Sequence, residues 1–313
     1  MSTAKVKPYS QLSAWILAAR PKTLSAAVVP IVATIGLVRV STDHLTGEPY
    51  PIKWWIIICA LLASFCIQIG TNFVNDAMDF KKGADNEKRT GPMRVTQQGY
   101  FSFKQVMIMA TAFFVLAIIL GLPLVAHGGW PIVIIGLLSV AMGYAYTSGP
   151  IPLAYYGLGD LFVIIFFGLV AVGGMYYLLT GQYSMDAAVL GLQIGFLSTV
   201  LIAINNLRDI HTDKEVNKKT LAVRLGVTGA KIWIGFLVIA PFLMGYYWLY
   251  QKQYWLYIIP TLSLPLGLSV IKKIIRSEPS AEYNRYLARA SAYALIFSVG
   301  FLIGSFVKWS GHL

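Results

Sequence analysis

Two short stretches of the chain carry carboxylates and amides at helical spacing, and each closes a long apolar run. The first is Asn72-Phe-Val-Asn75-Asp76-Ala-Met-Asp79, after the run that begins at Trp54; the second is Asn205-Asn206-Leu-Arg208-Asp209-Ile-His-Thr-Asp213, after the run from about Ala187. Asn72, Asp76 and Asp79 stand at i, i+4 and i+7, and Asn205, Asp209 and Asp213 at i, i+4 and i+8, so each set shares one helix face. A carboxylate in hydrocarbon costs roughly 2.5 to 3.5 kcal/mol on insertion scales, which directs such acids toward a polar cavity. Four carboxylates converging on one cavity repel one another unless a cation lies between them. Oxygen donors without His or Cys suit a hard ion such as Mg²⁺, which takes one or two carboxylates and fills its shell with water and substrate phosphates.

Basic residues follow each stripe. Lys81, Lys82, Arg89 and Arg94 come after the first, and Lys218 and Lys219 after the second. Acids for a metal beside bases for phosphate oxygens describe a diphosphate site. In a membrane, a diphosphate with an apolar body is a prenyl diphosphate.

The elements that position these groups are membrane helices. The 313 residues are 57% hydrophobic with a mean hydropathy of +0.66, and only 12% are charged, half the share usual in soluble proteins. Nine apolar runs, at about 24–40, 54–75, 105–126, 130–147, 155–180, 187–205, 231–250, 254–271 and 290–307, predict nine spans around a central cavity in one domain covering 1–313. Runs of this length exclude the ten-residue alternation of a barrel. Polar loops at about 81–104 and 208–231 are expected to carry short helices that cap the cavity, and 149–154, Gly-Pro-Ile-Pro-Leu-Ala, reads as a tight turn.

Of the 25 Lys and Arg residues, 21 fall in the N-terminal segment and in the loops after the second, sixth and eighth runs. The positive-inside rule then puts the N-terminus and both acid clusters on the cytoplasmic side and the C-terminus outside. The net charge of +12 is spread in short blocks between apolar runs, a signature of topology and lipid contact, not of nucleic-acid binding. Cys59 and Cys66 lie about 10 Å apart along one helix, too far for a disulfide, and read as packing. A secondary cation transporter is the rival class; it requires acids partway through interrupted spans, whereas these stand at helix ends on one side.

The chain resembles the UbiA superfamily of intramembrane aromatic prenyltransferases. The resemblance rests on Arg20-Pro-Lys-Thr23, Asn75-Asp-Ala-Met-Asp-Phe-Lys-Lys-Gly-Ala-Asp85, Gly91-Pro-Met-Arg-Val-Thr-Gln-Gln-Gly99, Tyr146-Thr-Ser-Gly-Pro-Ile-Pro-Leu153, Gly157-Leu-Gly-Asp160, Asn205-Asn-Leu-Arg-Asp209 and Lys219-Thr-Leu-Ala-Val-Arg-Leu-Gly226. It departs from the pattern at Gly83, where many relatives have a third Asp, and at Asp160, where Glu is expected. The resemblance implies two Mg²⁺ ions, one held by Asp76 and Asp79 and one by Asp209 and Asp213, bridged by the diphosphate. It implies that Asn72, Asn75 and Asn205 orient those ligands, that the four acids and Tyr146 are catalytic, with the ring faces of Tyr144 and Tyr146 toward an allylic cation, and that Arg20, Lys22, Tyr144 and Asp160 have supporting or acceptor-side roles. It is strongest toward the menaquinone-pathway branch, implying 1,4-dihydroxy-2-naphthoate as acceptor, demethylmenaquinone as product and a bacterial inner membrane as location. 4-Hydroxybenzoate and homogentisate are the alternative acceptors.

Overall fold

The computed structural model describes residues 9–84, 91–150 and 152–307. Among these every element is helical, joined by turns and loops, apart from one isolated bridge between Thr42 and Pro49. The elements in order are α1 (Gln11–Ala19), α2 (Ser25–Val40), α3 (Trp54–Lys81), α4 (Phe103–Gly128), α5 (Trp130–Ala145), α6 (Gly159–Val163), α7 (Ala171–Thr180), α8 (Met185–Arg208), α9 (Ile210–Glu215), α10 (Leu221–Tyr250), α11 (Trp255–Thr261), α12 (Leu264–Arg276) and α13 (Tyr283–Gly304). A π-helical segment, Ile164–Val170, joins α6 to α7.

Six helices are long and apolar enough to cross a membrane, counting Gly159–Thr180 as one. Two further pairs, Gln11–Thr23 with Ser25–Val40 and Trp255–Thr261 with Leu264–Arg276, pass the same test together but bend by 40° and 41°. α5 is a shorter apolar helix of 16 residues. At 1.5 Å per residue the 28-residue α3 is about 42 Å long, against about 30 Å of hydrocarbon. Its start, Trp54 and Trp55, is exposed in the manner of an interfacial aromatic belt. Asp76 and Asp79 then fall beyond the hydrocarbon, at the polar end. The 24-residue α8 ends in the same way at Arg208.

α8 is the central post. Its buried residues, from Leu190 through Leu197 and Val200 to Leu207, run into a core shared with α2, α7, α10 and α13. Where the π-helical segment meets α8 the backbones nearly touch: a Cβ on Gly168 would lie 2.3 Å from the Gly191 carbonyl oxygen and 2.7 Å from the Gly195 Cα. Three glycines therefore permit this crossing, and the wider π turn spreads Phe162, Phe166 and Phe167 along a cavity wall. A second, smaller core of Ala14, Ala18, Phe73, Ala77, Phe101 and Phe114 fixes α1 and the 91–101 segment against α3 and α4. Trp15 stacks on Phe101 at 3.9 Å.

The polar loops differ from expectation in detail. The 208–231 segment does contain short helices, α9 and the first turn of α10, which breaks at Gly226 (φ 72°, ψ 175°). The described part of 81–104 has turns but no separate helix, because it is held by a side chain described below. Ala154 N donates to the Tyr146 carbonyl at 2.9 Å; the expected turn at 149–154 includes Ile151, which lies outside the described residues. Cys59 and Cys66 are both free.

Candidate active site

Two adjoining cavities share Arg20, Asn75, Tyr146, Ile202 and Asn205 as lining residues. The larger, about 1100 Å³, runs through the helix bundle between apolar walls from α2 to α8. The smaller, about 70 Å³, is polar and is lined by Asp79, Asp209, Asp213, Arg94, Lys218, Asn206 and Thr147 among others.

The structure brings three of the four acids to the small cavity. Asp79 is 3% exposed and is met on every side. Arg94 Nη2 donates to Oδ2 at 3.2 Å, Tyr155 OH to Oδ1 at 3.0 Å, and Lys218 Nζ lies 3.9 Å from Oδ2. The same Lys218 reaches Asp213 Oδ1 at 3.6 Å, so one ammonium bridges the two acid stripes. Burial pushes the Asp213 carboxyl up to about 6, with Lys218 opposing the shift and Asp209 and Asp79 adding to it.

Asp76 is placed differently, and this corrects the expected four-acid cluster. It is 1% exposed and lines neither cavity. Its Oδ2 accepts from Val95 N at 3.0 Å and its Oδ1 from Thr96 N at 2.9 Å. Successive helix residues point about 100° apart, so Asn75 can face the cavities only if Asp76 turns to one edge of that face, toward the 91–99 loop. Holding those two amides brings the neighbouring Arg94 onto Asp79. The matched stripes are therefore Asn75 with Asp79 and Asn205 with Asp209 and Asp213.

Asn72 lines the large cavity and ties the α1–α2 bend to α3, donating from Nδ2 to the Ala19 carbonyl (3.0 Å) and the Thr23 hydroxyl (3.1 Å). At that bend Arg20 adopts φ 53°, a left-handed conformation uncommon outside glycine, and its side chain lines both cavities. Lys22 lines the mouth of the larger one. Tyr146 lines both, its ring 5.7 Å from Phe162, which stacks on Phe166 at 4.5 Å.

Several expected residues stand elsewhere. Lys81 is exposed and its ammonium lies 5.3 Å over the Phe103 ring, on the side away from the acids. Lys82 donates to the Thr147 carbonyl at 2.8 Å and sits 4.2 Å over the Tyr155 ring, at the rim. The Lys219 side chain is exposed; its backbone, bonded to the Tyr155 carbonyl at 3.1 Å, is what the fold uses. Tyr144 is 44% exposed and lines neither cavity, since it lies two residues, or about 200°, from Tyr146. Asp160 also lines neither cavity: its carboxylate accepts from Trp233 Nε1 at 2.8 Å and Asn206 Nδ2 at 3.4 Å, tying α6 to α10 and α8. Arg89 and Asp85 lie outside the described residues.

Arg208 was not among the expected site residues. It is 3% exposed and donates from Nε to Asp209 Oδ1 (2.8 Å), from Nη2 to Asn205 Oδ1 (2.8 Å) and from Nη1 to Asn284 Oδ1 (2.6 Å). It thus orients Asn205 and Asp209, two of the three polar groups of the second stripe, and locks them to α13. Tyr155 is likewise unexpected, and nothing in its sequence context marks it.

The donor chemistry fits a hard divalent ion: carboxylates from Asp79, Asp209 and Asp213, amide oxygens from Asn75 and Asn205, and no His or Cys. Among the described residues no three acids stand close enough to hold one ion alone, which leaves coordination positions for the oxygens of a bound diphosphate.

Comparison with known proteins places the chain in a family. The model of the UbiA prenyltransferase family matches residues 40–305. This chain belongs to that family. It is 31% identical to a 1,4-dihydroxy-2-naphthoate octaprenyltransferase of Haemophilus influenzae, over 94% of this chain and 97% of that one. It is 30% identical to the Escherichia coli protein of the same name, over 96% and 98%. Among solved structures the fold is similar to that of a UbiA homologue from Aeropyrum pernix in its apo form (TM-score 0.68, 15% identity, 90% and 97% of the two chains). It is also similar to one from Archaeoglobus fulgidus bound to GPP and Mg²⁺ (TM-score 0.64, 15% identity, 94% and 100%).

Proposed function

We propose that this family member transfers a polyprenyl group from an allylic prenyl diphosphate to 1,4-dihydroxy-2-naphthoate, releasing diphosphate and CO₂. The product is demethylmenaquinone in its quinol form. The observation that carries this reading is the junction of the two cavities: a small polar pocket that sets Arg20, Arg94 and Lys218 beside Asp79, Asp209 and Asp213 adjoins a long apolar one. Charged head and hydrocarbon body of one substrate need that pairing. The relatives named for this activity, matched over nearly their whole length, supply the acceptor.

The site residues take these roles in the proposal. Asn75 and Asp79 would hold one Mg²⁺, and Asn205, Asp209 and Asp213 would hold a second. Bound Mg²⁺ supplies charge neutralisation to the departing diphosphate. Lys218 and Arg94, which stand beside Asp79 and Asp213, would reach phosphate oxygens, with Lys82 at the rim. Diphosphate leaves with the electron pair of the C1–O bond, and the Tyr146 and Phe162 faces shield the allylic cation from water, each worth about 0.5 to 2 kcal/mol. The ring carbon bearing the carboxylate forms the new bond to C1. Loss of that carboxyl as CO₂ returns its bonding electrons to the ring, so no base is required at that carbon.

The proposed setting is a bacterial inner membrane crossed nine times by one domain, 1–313, counting the two bent pairs and α5 as spans. The N-terminus is cytoplasmic, the C-terminus outside, and the acid pocket opens to the cytoplasm. Purified protein given a prenyl diphosphate and a panel of aromatic acids tests the reading. Turnover should need a divalent cation, stop with chelator, return with Mg²⁺, and favour the dihydroxynaphthoate over 4-hydroxybenzoate and homogentisate.

A further inference from the structure

Two polar side chains within the spans, Gln68 of α3 and Ser198 of α8, take no part in the diphosphate pocket. Both line the large cavity. Gln68 precedes Asn75 by seven residues and Ser198 precedes Asn205 by seven. Each therefore stands two turns, about 10 Å, deeper than its asparagine and on the same helix face. The two stripes thus match in depth beyond their acids.

Neither group is satisfied within the protein. Ser198 is 5% exposed and its hydroxyl has no hydrogen-bond partner, whereas Thr71, Thr199 and Ser298 bond back to the carbonyl four residues earlier. Among the described residues no hydrogen bond reaches the Gln68 amide. An unpaired amide or hydroxyl facing hydrocarbon is unfavourable, and a prenyl tail offers it no donor or acceptor. The acceptor does. Asn72 fixes the Arg20–Thr23 turn at its own level, one helical turn or about 6 Å from Gln68, the scale of an aromatic ring with its substituents. A carboxylate drawn to Arg20 and Lys22 then leaves the opposite edge of the ring beside Gln68.

We propose that Gln68 and Ser198 bind the ring hydroxyl of the acceptor that is remote from its carboxylate, with the ring lying between α3 and α8. The proposal rests on the acceptor reading above. The Gln68 carbonyl accepts the hydroxyl proton while Ser198 donates to its oxygen, so the acceptor is selected as a para-dihydroxy acid and its ring carbon is aimed at C1.

The test measures binding of 1,4-dihydroxy-2-naphthoate and of 1-hydroxy-2-naphthoate, which lacks the remote hydroxyl, to full-length protein in anaerobic detergent solution without substrate turnover. Wild type should prefer the dihydroxy ligand. Gln68→Leu should weaken that ligand about tenfold and Ser198→Ala about threefold, the span expected for one lost hydrogen bond. Binding of the monohydroxy ligand and the KM for prenyl diphosphate should stay within twofold of wild type. Equal weakening of both naphthoates, a shift in the prenyl diphosphate KM instead, or unchanged dihydroxy binding in both variants would overturn the assignment. Ser198→Ala, a small change, carries the test if Gln68→Leu does not fold. Wild type that binds neither naphthoate yet prenylates another acid would remove the acceptor reading and this inference with it.

Discussion

Replacing Asp76 by Asn tests whether this acid works through the 91–99 loop. Asp76 is 1% exposed and gives one oxygen to each of two backbone amides, Val95 and Thr96. An asparagine keeps one acceptor but turns an NH₂ toward the other amide, so one charge-assisted hydrogen bond is lost and a buried N–H is left unpaired. That costs about 1 to 3 kcal/mol, or about 5- to 150-fold more of the loop-open state at 1.4 kcal/mol per tenfold. Arg94 should leave Asp79 in that state, because the residue carrying it is next to the released amides. Hydrogen exchange by mass spectrometry should show protection at Val95 and Thr96 falling by that factor. The KM for prenyl diphosphate should rise while the Mg²⁺ concentration for half-maximal activity changes less than in Asp79→Asn. Unchanged exchange at these amides, or identical Mg²⁺ dependence in the two variants, would refute the reasoning.

Further expectations follow from single contacts. Arg208→Lys keeps the charge but loses the fork that holds Asp209, Asn205 and Asn284; breaking a buried pair costs about 3 to 5 kcal/mol, so turnover should fall at least a hundredfold in steady-state assays. Gly168→Ala must push a Cβ away from a carbonyl 2.3 Å off, and overpacking of about 1 to 3 kcal/mol should appear as a lower melting temperature in detergent. Asp160→Ala strands the Trp233 and Asn206 donors and should lower stability by about 1 to 3 kcal/mol with KM values within threefold of wild type. Tyr144→Ala, on an exposed position, should leave turnover within twofold.

Apolar run length made the helical membrane class legible, since only continuous helices satisfy their backbone in hydrocarbon. The first bend coincides with a polar stretch, Arg20-Pro21-Lys22-Thr23, where Arg20 takes φ 53°; the second, at Leu262–Ser263, was not legible from apolarity, which continues across it between Pro260 and Pro265. No residue type encodes a π turn either; only Gly168, Gly191 and Gly195 hint at a close crossing. Within the site, helical periodicity selected the right face of α3 but could not decide which edge meets the cavity and which meets a loop some twenty residues on, so Asp76 was grouped with Asp79. Charge counting marked Lys81 and Lys219 as belonging to the polar end without giving their direction. Arg208 escaped because adjacent residues on a continuous helix do not face each other. The helix ends at Arg208, and the turn at Asp209 (φ −94°, ψ 10°) brings the two side chains together.

The central claim is transfer to a dihydroxynaphthoate with loss of its carboxyl, and 1,4-dihydroxy-2-naphthoate labelled at the carboxyl carbon tests it directly. Incubated with purified protein, Mg²⁺ and a prenyl diphosphate, it should release one labelled CO₂ for each prenylated ring and leave no label in the product. A prenylated product that retains the label, or turnover of 4-hydroxybenzoate with none of the naphthoate, would contradict the account.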